Sequence, residues 1–134
     1  MKPIADLRTL LASMEPVLND GVFAFASLPA GYSIGLEDVV ASVHEPEGLS
    51  VVLTEARALA LQLSVLFRCA WITLTVHSDL QAVGLTAAFA RALGDAGISC
   101  NVVAGAHHDH IFVPVERAQD AMAALRQLQQ STAK

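Results

Sequence analysis

Between residues 70 and 96 the apolar residues change their period. Ala70, Ile72, Leu74 and Val76 alternate with Trp71, Thr73, Thr75 and His77, the two-residue repeat of a strand with one apolar face. Leu85, Ala88, Phe89, Ala92, Leu93 and Ala96 then recur at steps of three and four, with Thr86, Arg91 and Asp95 off the stripe. That is an amphipathic helix, and Gly97 ends it. Extended runs at 98–104 and 110–115 follow, and a last helix turns Ala118, Met122, Leu125 and Leu128 inward. The order strand, helix, strand, strand, helix belongs to an α+β layer rather than to a bundle or an all-β sandwich.

The first half carries a similar frame with one part missing. Ile4, Leu7, Leu10, Leu11 and Met14 sit at helical spacing until Pro16 and Asn19-Asp20-Gly21 stop the pattern. Residues 22–26 read as a buried strand broken by Pro29-Ala30-Gly31, and 32–38 as a loop. Residues 39–44 and 49–53 should pair antiparallel around Glu45-Pro46-Glu47-Gly48. Thr54 is placed as an N-cap with Glu55 in the first turn, and Ala56, Leu59, Ala60 and Leu63 follow at helical spacing. Val52 before Glu55-Ala56-Arg57 echoes Val113 before Glu116-Arg117-Ala118, each after a hairpin and each opening a helix. The echo predicts two modules, 1–66 and 67–134. The first lacks a helix between its first two strands, where only 29–38 is available.

Composition narrows the function. At 134 residues and 54% hydrophobic, the chain can bury a core without a disulfide framework or structural metal. The longest apolar runs, 22–26 and 121–125, are five residues each, against about 20 for a membrane span. Asp6 and Arg8 interrupt the place where a signal peptide needs its apolar core, so a cytoplasmic protein is expected. Cys69 and Cys100 read as free, buried thiols. With 8 Lys+Arg against 13 Asp+Glu the net charge is −5, and the basic residues are scattered singly, which argues against nucleic acid as a partner. No phosphate-binding loop, dinucleotide fingerprint or convincing carboxylate pair appears. His77, Ser78 and Asp79 hold the residue types of a triad, but neighbours on one backbone do not line up as nucleophile, base and orienter. Neither catalysis nor a cofactor is expected.

The turn from His77 to Thr86 is the local stretch with chemistry in it. Gly84 has no side chain, so a ligand can approach its backbone, and it precedes helix N–H groups that have no partner within the helix. An anion docked there would gain hydrogen bonds and about 0.3–1 kcal/mol from the helix dipole. Asp79 beside it could hold an ammonium group, and the pair fits the head of an amino acid. The same residues serve as a plain cap, with Ser78 or Asp79 bonding the first turn and Gly84 permitting close packing. The run His107-His108-Asp109-His110 offers two imidazoles, His108 and His110, on one strand face, with His77 or His44 as a third metal ligand. Its alternative is structural, the imidazoles satisfying backbone groups at the mouth of the strand.

Residues 82–89, Ala-Val-Gly-Leu-Thr-Ala-Ala-Phe, followed by Leu93 and by Ala96-Gly97-Ile98-Ser99-Cys100-Asn101-Val102, resemble the core of an ACT domain, a small regulatory module of βαββαβ topology that binds amino acids. Residues 45–53 together with 104–114 resemble a subfamily of small free-standing proteins with two ACT-like modules. The resemblance runs from Val22 to Leu128. It implies an α+β fold of two ferredoxin-like sandwiches side by side, the first degenerate. It also implies an amino-acid-binding regulatory or sensor protein, with the ligand held between modules near the loop before the Gly84 helix. On that resemblance Asp79, Leu80, Val83, Gly84 and Leu85 match the ligand loop, and Ile98 and Asn101 match the strand flanking it. Glu45 and Glu47 match only the subfamily hairpin. One site per chain is expected, since the first module lacks the glycine loop.

The face of Trp71, Thr73, Thr75 and His77, extended by Ser99, Asn101 and Val103, is too mixed for a core and too apolar for open water, so a homodimer or higher homo-oligomer is expected. Two other functions stay open at this point. One is a metal-assisted hydrolase using the cluster from His107 to His110, and the other is a purely structural interaction module.

Overall fold

Asp6 starts the first helix: its carboxylate accepts from the Thr9 backbone N–H at 3.0 Å and from the Thr9 hydroxyl at 2.7 Å, satisfying donors that a first turn leaves open. The computed structural model describes residues 6–76 and 79–133. After α1 (Leu7–Ser13) come β1 (Pro16–Leu18), β2 (Phe23–Leu28), β3 (Val39–Glu45), β4 (Gly48–Thr54), α2 (Glu55–Ala60) and β5 (Phe67–Leu74). Then follow α3 (Leu85–Asp95), β6 (Asn101–Ala104), β7 (Asp109–Pro114) and α4 (Ala118–Ala133). The chain divides into two compact units, one of residues 20–70 and one of residues 6–19 with 71–133.

In the unit of residues 20–70 the strands lie in the order β3, β4, β2 and the start of β5. β2 runs antiparallel to β4 from Phe23↔Thr54 to Leu28↔Leu49, and antiparallel to β5 with Phe23 opposite Cys69. The β3–β4 hairpin closes at Glu45↔Gly48, as the turn residues predict. Ala24, Ala26, Leu28, Val51, Leu53 and Ala58 make the core. Where a helix would follow the first strand, the loop 29–38 instead sends Ile34 onto that core. It is tied to α2 and its end by the Tyr32 hydroxyl, which donates to the Leu61 carbonyl at 3.2 Å, and by Arg57 on Asp38 at 3.3 Å. Thr54 caps α2 as expected, its hydroxyl accepting from the Arg57 N–H. The stripe through Leu59 and Leu63 does not hold: the helix stops at Ala60, Leu59 is 63% exposed, and Ala58 is the buried residue. Leu61 and Leu63 reach the core after the helix has ended, through a turn in which Gln62 takes φ 58°.

In the other unit the order is β1, β5, β7, β6. β5 follows its alternation closely: Ala70, Ile72, Leu74 and Val76 are buried. α3 buries Leu85, Phe89 and Leu93, and α4 buries Ala121, Met122 and Leu125. α1 packs on α4, with Gln129 donating to the Ala12 carbonyl at 3.3 Å and Leu10 and Met14 fully buried. Arg117 reaches back to close the end of α3, donating to the Ala96 and Gly97 carbonyls at 3.1 and 3.3 Å.

Pro16 does more than stop α1. It opens β1, which pairs antiparallel with β5 from Pro16↔Leu74 to Leu18↔Ile72. Three residues led by a proline carry no readable alternation, and a missing N–H is tolerated on an outer strand. The sequence reading put 6–19 in the first module; the segment packs with 71–133. The strand it supplies completes a ferredoxin-like frame: β5, α3, β6, β7 and α4, with β1 in the place of the fourth strand. The unit 20–70 repeats the frame as β2, β3, β4, α2 and the start of β5, without its first helix. These are the two ferredoxin-like α+β modules expected, the first degenerate.

Candidate ligand-binding site

The start of α3 is led by a glycine. Gly84 adopts φ 102°, ψ −18°, no side chain among the described residues caps the helix, and its first turn holds no acidic residue. A left-handed backbone of this kind favours glycine. Asp79 closes its own turn instead of capping α3: its Oδ1 accepts from the Gln81 N–H at 2.8 Å, and its carbonyl accepts from the Ala82 N–H at 2.9 Å. Ser78, the other expected cap, lies outside the described residues. The packing role proposed for Gly84 is present: a Cβ there would stand 2.9 Å from Leu7 Cδ2.

Beside this helix start lies a hollow of about 70 Å³. The loop lines it with Asp79, Leu80 and Ala82, α3 with Leu85 and Thr86, β6 with Ala104 and β7 with Asp109. Asp109 is 6% exposed and is the buried charged side chain among the described residues. Three of the expected residues, Asp79, Leu80 and Leu85, therefore meet at one hollow. Val83 shares their loop but is 84% exposed, and Gly84 meets Leu7. Ile98 and Asn101 do not line the hollow. Ile98 is buried ahead of β6, and Asn101 pairs with Phe112 at the far end of the hairpin from the Ala104↔Asp109 pair, three residues or about 10 Å away. The sequence reading missed Asp109 because it stood inside a histidine run. Its signal was a lone carboxylate opening an apolar strand.

The histidines take separate roles. His110 Nδ1 accepts from the Trp71 indole N–H at 3.1 Å and lies 3.2 Å from the Thr73 hydroxyl, so this imidazole satisfies side chains and not the backbone groups expected. His108 Nδ1 is buried with no hydrogen-bond partner, and His77 lies outside the described residues. Among the described residues no group of three or more His, Cys, Asp or Glu is arranged to hold a metal ion. Burial pushes the Cys69 thiol up to about 12 and the Cys100 thiol to about 11, which keeps both protonated and unreactive. Among the described residues no helix is long and apolar enough to cross a membrane.

A βαββαβ frame used twice, once without its first helix, defines a chain of paired ferredoxin-like modules. The chain belongs to the ACT domain family: one ACT model matches residues 2–70 and a second matches 66–127. A crystal structure of a Vibrio cholerae protein of unknown function, possibly a transport protein, is similar at 44% identity and a TM-score of 0.79, over 92% of this chain and 96% of that one. A protein of Agrobacterium tumefaciens is similar at 17% identity and a TM-score of 0.67, over 87% and 89%. The regulatory subunit of aspartate kinase from Thermus flavus is similar at 11% identity and a TM-score of 0.59, over 87% and 97%. The last two share the fold with this chain. No protein of curated function matches it. The family carries regulatory, amino-acid-binding roles in general.

Proposed function

We propose that this chain is a non-catalytic, cytoplasmic sensor that binds a free amino acid at the hollow beside α3 and acts as a homo-oligomer. One observation supports the reading: two acidic residues, Asp79 and Asp109, and a helix start with no side-chain cap among the described residues line a single small hollow. The ligand's ammonium group sits against the carboxylates, and its carboxylate takes the open N–H groups of the first turn of α3. A hollow of about 70 Å³ is far below the roughly 300–1,000 Å³ of sites that enclose a whole drug-sized ligand. It holds the head group, and the ligand's side chain leaves past Leu80, which is 68% exposed.

A thermal-shift screen of the twenty amino acids tests this. Ligand at 100 times its Kd adds about 2.7 kcal/mol, a rise on the order of 10 °C for a unit of under 100 residues. Asp79→Asn should remove the rise while leaving the unliganded melting temperature near its original value, because Asp79 sits in an exposed loop and not in the core. Silence across all twenty overturns the reading and leaves the purely structural one.

A further inference from the structure

On the face of β5 opposite Ile72 and Leu74, a chain of polar groups joins three strands and plays no part in the hollow. Asn19, just past β1, donates from Nδ2 to Thr73 Oγ1 at 2.9 Å and to the Trp71 carbonyl at 3.2 Å. Thr73 Oγ1 and the Trp71 indole N–H converge on His110 Nδ1, at 3.2 and 3.1 Å. An indole nitrogen only donates, so Nδ1 is the bare nitrogen of the imidazole and the ring proton is on Nε2. The ring is boxed in: a Cβ at Gly105 would stand 3.2 Å from Nε2. Phe112, two residues along β7, stacks on Trp71 with centroids 6.3 Å apart.

We propose that His110 is a proton-operated latch: neutral, it holds the Trp71 indole N–H, and on taking a proton from solvent at Nδ1 it releases Trp71 and donates to Thr73 Oγ1 instead. An imidazolium has two donors and no acceptor, so Nδ1–H and the indole N–H would face each other while the threonine oxygen can still accept. One proton enters, the indole hydrogen bond breaks, the Thr73 hydroxyl turns its own proton away from Nδ1, and no covalent bond other than the new N–H changes. Of the titratable groups near the ring, His108 disfavours its charge and Asp109 favours it. β5 faces it with Trp71 and Thr73, and the end of β1 contributes Asn19 through Thr73; none of these titrates near neutral pH. Burial is the largest influence and, with His108, holds His110 below its ordinary value, so the latch is closed at neutral pH and opens in acid.

Trp71 is the only tryptophan in the chain and its ring centroid is 5.7 Å from that of His110, so its fluorescence reads the latch in the intact protein. Lowering the pH from about 8 to about 5 should change the emission in a single-proton step with its midpoint below about 6.5. His110→Asn, whose amide oxygen can take the acceptor position without titrating, should abolish the step. A flat native emission, or a step unchanged in His110→Asn, overturns the proposal. Nitrogen NMR of the native imidazoles reads the same point if the variant does not fold: Nδ1 must be unprotonated at pH 8, and a proton found there overturns the latch.

Discussion

Leu7 on α1 occupies the space that a side chain at Gly84 would need, its Cδ2 2.9 Å from the Cβ position. Gly84→Ala therefore meets two costs, a left-handed backbone at φ 102° and displacement of Leu7. It should destabilise the protein by about 1–3 kcal/mol in urea melts. Leu7→Ala in the same chain should recover part of that loss, so the double variant falls short of the sum of the singles. Additive effects would show that Leu7 and Gly84 are not coupled. The same geometry makes Gly84 a poor probe of ligand binding, and Asp79 the better one.

At Gly48 the obstruction is backbone. A Cβ there would lie 2.3 Å from the Leu28 carbonyl oxygen, and φ is 151°. Carbonyls in a paired strand cannot rotate aside as a leucine end can. Gly48→Ala should cost about 3 kcal/mol or more, with Gly31→Ala as the control, since φ there is also positive, at 86°, but the Cβ position is open. Equal losses at the two sites would mean that backbone strain, and not the Leu28 contact, sets the cost.

Acid should weaken the fold through His110. Its folded value lies below its ordinary one, so between the two the unfolded chain binds more protons and stability rises with pH. The contribution is complete above about 6.5 and is lost as pH falls toward the lowered value. Thermal melts from about pH 7.5 to 5 should show this slope, and His110→Asn should flatten it. A native slope of the opposite sign contradicts the assignment of the bare nitrogen.

Neither cysteine should react in the folded state. With thiols at about 12 for Cys69 and about 11 for Cys100, thiolate at pH 8 is about a thousandth of the total or less. A disulfide-exchange reagent should label both only after denaturant is added. Rapid labelling of Cys100, the less buried of the two, would show that its strand end opens.

What the sequence made legible was local. Alternation around Ile72 and Leu74, the stripe through Leu85, Phe89 and Leu93, and the turn at Pro46-Glu47 each announce an element from a few adjacent residues, and each formed. What it hid depends on distant partners. β1 exists only because residues 54 or more positions later offer it an edge. Leu59 was turned outward because α2 is too short for its own stripe to decide its packing. At the hollow, Asp79, Leu80 and Leu85 belong to the stretch the sequence singled out, while Asp109 reaches it through a hairpin register that one strand does not reveal. Register also places Asn101 opposite Phe112, away from the hollow.

The fourth strand of the later unit is made before the other three. During synthesis residues 20–70 can begin to close on themselves as they emerge, since the pairings of β2 with β4 and β5 and of β3 with β4 lie within that stretch. α1 and β1 leave the ribosome earlier still, yet their partners follow much later, Ile72 to Leu74 midway along the sequence and α4 near its end. At roughly 5–20 residues per second, the α1–β1 segment waits several seconds for α4 to cover Leu10 and Met14, and its unit closes only when partners made long after it arrive.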